Sequence, residues 1–165
     1  MKGFAYRICL VLFACLLVGC GSNEIDPGDK VGGFLVTKGD GLDVTYVWDL
    51  DCEQEGETEV YSCVSNVGTN ANISVGIYAS LTGDGKDLDT LWEEHSYELF
   101  IDDRPINLDA FGYIDIMHPQ VGPMRVWNVV IVGDGPGEIT FRDKGVVHDE
   151  PFESTNTLAF ITPAE

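Results

Sequence analysis

The chain has 165 residues, with 9 Lys and Arg against 28 Asp and Glu, for a net charge of −19. That length accommodates one domain with a short appendage. A surface this acidic repels phosphate backbones and anionic headgroups, which excludes nucleic-acid binding as a function class and leaves divalent cations, basic partners or simple solubility.

Lys2 and Arg7 give a positive start, and Ile8 to Val18 form an apolar run of eleven residues. A helix needs roughly 20 apolar residues to span a bilayer, so this run reads as a secretory signal, not a membrane span. It ends in Leu17-Val18-Gly19-Cys20, which resembles the lipobox of bacterial lipoproteins. The resemblance implies export, cleavage between Gly19 and Cys20, and attachment to a membrane through lipid on Cys20. Gly21 in place of Asp after the cysteine implies the outer membrane in a two-membrane bacterium. The organisation expected is a signal over 1–19, a lipidated tether over 20–33 rich in Gly, Asp and Ser, and one domain over 34–165. Without the leader's two cations, 7 basic residues face 28 acidic ones, a balance of −21.

Strand patterns dominate the domain. Phe34–Thr37 is a short candidate. Leu42, Val44, Tyr46, Trp48 and Leu50 alternate with Asp43, Thr45, Val47 and Asp49, which predicts a strand with one buried face and Trp48 in the core. Cys52 continues the inward phase. A short strand is expected over 60–64, and Ile73 to Leu81 repeats the alternation, with Ser74 and Gly76 outward. Leu88, Leu91 and Trp92 share one helical face, so 87–94 reads as a helical turn. Tyr97, Leu99 and Ile101, then Asp102-Asp103-Arg104-Pro105 and Ile106–Leu108, read as a hairpin. Further strands are expected over 113–117, 125–132, 138–142 and 157–162, with 145–156 as a long loop. Three Gly-Asp-Gly tripeptides, at 39–41, 83–85 and 133–135, read as tight turns. The predicted class is all-β, a two-sheet antiparallel sandwich of eight or nine strands. From Tyr97 onward the order of elements resembles immunoglobulin-like modules of exported bacterial proteins. In that resemblance Arg125–Val132 and Glu138–Arg142 form a late hairpin.

Cys9 and Cys15 leave with the signal, so Cys52 and Cys63 remain as an even pair and are expected to form a disulfide in an oxidising compartment. A bridge across so short a loop would contribute roughly 2–3 kcal/mol in the chain-entropy view. Between them Glu53, Glu55, Glu57 and Glu59 fall on every second residue. Asp51, Glu53, Glu55 and Glu57 are the candidate metal ligands, since calcium takes six to eight oxygens and acidic loops with a central glycine supply them. Position twelve of such a loop is Ser62, not Glu, so a solvated hairpin tip stands beside the calcium reading. A second acidic cluster, Asp84 to Asp89, lacks the full loop spacing. His95, His118 and His148 sit in no motif of a hydrolase or metalloenzyme, and no catalytic residue is assigned. Trp92 and Trp127 are candidates for a carbohydrate-binding face, with core packing as the alternative. The function expected is a lipid-anchored, non-enzymatic binding or structural module of the cell envelope, recognising an envelope protein or a polysaccharide. A calcium-dependent module built on 51–62 and a small cell-surface hydrolase are the alternatives.

Overall fold

A computed structural model describes residues 23–51, 53–54, 61–76, 78–80, 86–147 and 150–162. The chain is all-β and sandwich-like. In order it forms β1 (Lys30–Val31), β2 (Phe34–Thr37), β3 (Thr45–Tyr46), β4 (Glu53–Gln54), β5 (Tyr61–Gly68), β6 (Asn72–Ser74) and β7 (Tyr78–Ser80). Helix α1 (Leu88–Glu94), β8 (Ser96–Ile101), β9 (Arg104–Pro105) and helix α2 (Leu108–Phe111) follow. Strands β10 (Tyr113–His118), β11 (Gly122–Trp127), β12 (Val130–Val132), β13 (Gly137–Val147) and β14 (Glu150–Ile161) complete the fold.

The strands form three sheets instead of the expected two, ordered β1-β2-β12-β6-β3, β10-β11-β7 and β4-β5-β14-β13-β8-β9. The extra sheet comes from a kink. Val130 pairs with Ser74 and Val126 with Tyr78, so the ladder keeps one register through both sheets and no residue is inserted. Between those pairs Asn128 turns away. Its backbone N–H donates to Gly112 O at 2.9 Å, its side-chain oxygen accepts from Gly39 N at 2.7 Å, and its Nδ2 donates to Asp40 Oδ1 at 3.0 Å. A buried polar side chain must find such partners, and satisfying Asn128 splits the expected strand 125–132 in two. Two pairings, β14 with β5 and β3 with β6, are parallel, so the sandwich is mixed and not purely antiparallel.

The five- and six-stranded sheets bury one core between them. Phe34, Val36, Ile73 and Ile131 from one side meet Leu99, Ile101, Phe141, Leu158 and Phe160 from the other. The Phe34 and Phe160 rings lie 4.6 Å apart across that interface. Gly133, in the third Gly-Asp-Gly, carries the chain from β12 to the opposite sheet. A Cβ there would meet Thr69 O at 2.6 Å and the Phe160 ring at 2.8 Å, so only glycine fits the crossing. For the same reason β12 and β13 lie in different sheets and do not form the late hairpin that the immunoglobulin-like resemblance implied. The first Gly-Asp-Gly likewise links two strands that do not pair with each other.

Other expectations change in instructive ways. Alternation over 42–50 yields only β3, because its one neighbour, β6, offers two residues to pair with. Val47–Asp49 then winds into a 3-10 turn, and half-buried Trp48 stacks on Tyr46, 4.6 Å away, instead of entering the core. The expected strand over 73–81 divides into β6 and β7, and Ser74 and Gly76 are buried between them, not outward. The stretch 145–156 belongs largely to β13 and β14, a long antiparallel pair. Its polar residues misled the apolar count, since they satisfy one another. Ser154 Oγ donates to Asp143 Oδ1 and Asn156 Nδ2 donates to Ser154 Oγ at 3.0 Å. Desolvation raises the Asp143 carboxyl above the ordinary carboxylate range there.

The segment expected as a tether is folded from Ile25 onward. Ile25 is fully buried, donates its N–H to Pro105 O at 2.8 Å and accepts from Asn107 N at 3.0 Å. Gly28 N donates to Val36 O, and β1 pairs with β2. The domain therefore begins at least nine residues before Phe34. Among the described residues no helix is long and apolar enough to cross a membrane.

Candidate functional site

The three-stranded sheet carries the most organised polar and aromatic surface among the described residues. Strand β10 alternates exposed and half-buried residues, so Tyr113, Asp115 and Met117 face outward. Its register with β11 sets Tyr113 opposite Trp127 and Asp115 opposite Arg125. Helix α1 packs over the same sheet and adds Asp89 and Trp92.

Arg125 holds this surface together. It is buried, yet all its bonding is charge-assisted. Nε donates to Asp115 Oδ1 at 2.6 Å, Nη2 to Asp115 Oδ2 at 2.9 Å, and Nη1 to Asp89 Oδ1 at 2.7 Å. The fork-on-fork contact with Asp115 is the strong bidentate geometry. Its guanidinium carbon sits 4.4 Å from the Tyr113 ring centre and 5.9 Å from that of Trp92. Hydrogen bonding to Arg125 lowers the Asp115 carboxyl, and the same bond raises the guanidinium further above its usual range. Both groups stay charged across the physiological range.

The rings form an angled cluster. Trp92 lies 4.8 Å from Trp127 and 5.4 Å from Tyr113, at interplanar angles of 50° and 54°. The two tryptophans singled out in the sequence are thus brought together, although Cα positions 92 and 127 are far apart along the chain. Both are half-buried, and Trp127 also packs against the main core. They make the floor of the cluster, and Tyr113, 51% exposed, is its open ring. Sequence reading missed Tyr113, Arg125 and Asp115. The alternation of 113–117 with Tyr, Asp and Met on one face was the available signal.

The second acidic cluster resolves into structural tasks. Asp87 caps α1, accepting from Thr90 N at 2.8 Å, and these bonds lower its carboxyl. Asp89 pairs with Arg125, and Glu94 pairs with Lys86. Of the candidate calcium ligands, Asp51 is exposed and Glu53 lies on β4. Glu55 and Glu57 lie outside the described residues, as do Cys20, Cys52, His148 and Asp84. Among the described residues no group of three or more His, Cys, Asp and Glu stands ready to hold a metal. Cys63 is buried on β5, with Gln54 of β4 paired to it across the ladder.

His118 ends β10 and is spent on the turn that follows. Its Nδ1 accepts from Gln120 N at 3.2 Å and Val121 N at 3.3 Å, which leaves the proton on Nε2, 3.8 Å from Asp49. A shallow hollow of about 200 Å³ opens beside it, lined by Tyr46, Asp49 and Met117 among others. Burial and the nearby Asp49 charge raise the Tyr46 hydroxyl, so it stays protonated.

Compared with protein-family models and with curated proteins, the chain matches none.

Proposed function

We propose that this protein is a lipid-anchored, extracytoplasmic, non-enzymatic binding module that recognises a neutral polysaccharide through the Tyr113–Trp92–Trp127 cluster. The observation that carries this reading is the way buried Arg125 locks an exposed tyrosine beside two carboxylates. Sugar rings present C–H faces to aromatic rings and hydroxyls to carboxylate oxygens. Asp115 and Asp89 keep unspent acceptor capacity, since they are 52% and 79% exposed. The net charge of the domain disfavours anionic polymers and leaves neutral ones unopposed. Because the cluster is fixed before the ligand arrives, little side-chain entropy is lost on binding.

The anchor belongs to the same reading. Between Cys20 and buried Ile25 lie four residues, a span of at most about 18 Å when extended. Lipid on Cys20 would hold the Ile25 corner close to the bilayer surface. Export would also favour a Cys52–Cys63 disulfide, which would tie the acidic segment 52–60 to β5. The bound polysaccharide is the ligand expected of an envelope setting.

Binding of the full chain to insoluble neutral polysaccharides, measured by depletion, tests the reading. Tyr113→Ala is expected to weaken retention about tenfold, the scale of one lost stacking contact with its buried area. Equal retention of Tyr113→Ala and wild type, or no retention on any neutral polymer, would remove the cluster as the working face.

A further inference from the structure

A second site lies on the open face of the six-stranded sheet, in a different sheet from the aromatic cluster. We infer that the hollow beside Arg142 binds a free amino acid or another compact zwitterion. The hollow measures about 450 Å³ and is lined by Asp102, Asp103, Thr140, Arg142 and Thr155.

Arg142 is unusual beside Arg125. Its guanidinium lies over the Phe100 ring at 4.7 Å. Its contacts to carboxylates are long, 4.0 Å to Asp103 Oδ1 and 3.5 Å to Glu153 Oε1, and its Nε is buried without a hydrogen-bond partner. A guanidinium presents five N–H donors, and those of Arg142 are largely unspent. The Nη nitrogens belong to a side chain that is 37% exposed, so they are the donors an acceptor in the hollow can reach.

The turn opposite is strained toward the same hollow. Asp102 and Asp103 form the two-residue loop between β8 and β9, both at positive φ, 46° and 61°. Asn-Gly is the favoured pair for such a loop, so two aspartates there keep carboxylates in place at a conformational cost. Asp102 is tied down, accepting from Thr140 N at 3.2 Å. Asp103 is 96% exposed and reaches Arg142 only at 4.0 Å.

Charge decides the ligand class. An anion would pass Asp102, Asp103 and Glu153 before reaching Arg142, inside a strongly negative field. A cation would meet Arg142 at the centre. A neutral sugar would find no open ring, because Arg142 and Lys144 both cover Phe100, Lys144 Nζ at 5.3 Å. A molecule with a carboxylate and an ammonium on one carbon bridges the 4.0 Å between Arg142 and Asp103, and Thr155 adds a hydroxyl.

Titration calorimetry of the full chain in detergent, with a panel of amino acids and with acetate and methylammonium separately, tests this. At least one amino acid is expected to bind saturably, with acetate and methylammonium each about tenfold or more weaker. Arg142→Gln is expected to lose about tenfold or more, the scale of charge-assisted bonds. Asp103→Asn is the second variant. Asn suits the positive-φ turn, so the fold is retained while the ammonium partner is lost and affinity falls severalfold. Saturation by acetate as tight as by any amino acid, unchanged affinity in both variants, or no saturable binding at all would overturn the inference. None of these results bears on polysaccharide retention or on Tyr113.

Discussion

Arg125→Ala is expected to destabilise the domain by about 2–4 kcal/mol, less than the full loss for a sealed ion pair because both partner carboxylates reach water. On a domain of this size that lowers the melting temperature by roughly 10 °C. The loss has two parts, the bidentate contact to Asp115 and the packing of the guanidinium between Tyr113 and Trp92. Arg125→Lys should recover little, since an ammonium cannot make the fork to Asp115 while reaching Asp89. The pH dependence fixes the sign. Asp115 is held below its ordinary value of 3.8, so its contribution is complete above that pH and drains away as pH falls through the lower folded value. The gap between wild type and Arg125→Ala should therefore narrow in acid. Thermal melts from neutral pH downward check this, and a gap that stays constant or widens would show that Arg125 acts without Asp115.

Phe160→Ala is expected to cost about 3–5 kcal/mol, the range for removing a buried aromatic ring from a core. Phe160 is 1% exposed, packs against Phe34 from the facing sheet with the rings tilted by 31°, and lies against the Gly133 crossing. It is thus a direct bond between the two main layers. Phe34→Ala should cost a similar amount, and the double variant less than the two together, with a coupling of about 0.5–3 kcal/mol. Denaturant titration of the four proteins gives that coupling. Strict additivity would mean that the layers do not meet at this pair.

The class of fold was legible because alternation is a local property and β-rich segments carry it. Phe34–Thr37 emerges as read, and so does the helical turn that presents Leu91 and Trp92. The hairpin after Ile101 forms, but its turn is only Asp102-Asp103 and its return strand is Arg104–Pro105, while Leu108, expected in that strand, starts a helix. What alternation cannot carry is the neighbour. Leu42 to Leu50 has the pattern of a long strand but only Ile73 and Ser74 to pair with. Residues 145–156 have few apolar side chains but strong partners on both sides, and their inward polar groups bond to each other. The kink at Asn128 is invisible for a related reason. Its cause, the Gly39–Asp40 loop, lies 88 residues away along the chain.

The candidate site shows the same division. Trp92 and Trp127 stood out by residue type, and the fold brings their rings to 4.8 Å. Arg125 did not stand out, because its importance comes from two aspartates on different elements. The aspartates of the second acidic cluster looked like possible ligands, yet Asp87 caps a helix and Asp89 holds Arg125. In a chain with 28 acidic residues, composition alone cannot separate a cap from a ligand.

Mass analysis of the full chain recovered from the membranes of a producing bacterium tests the central claim most directly. The account predicts a polypeptide beginning at Cys20 that carries acyl chains on that residue, with Cys52 and Cys63 together two hydrogen atoms lighter than free thiols. A polypeptide that keeps Met1, or one beginning at an unmodified Cys20, would contradict it.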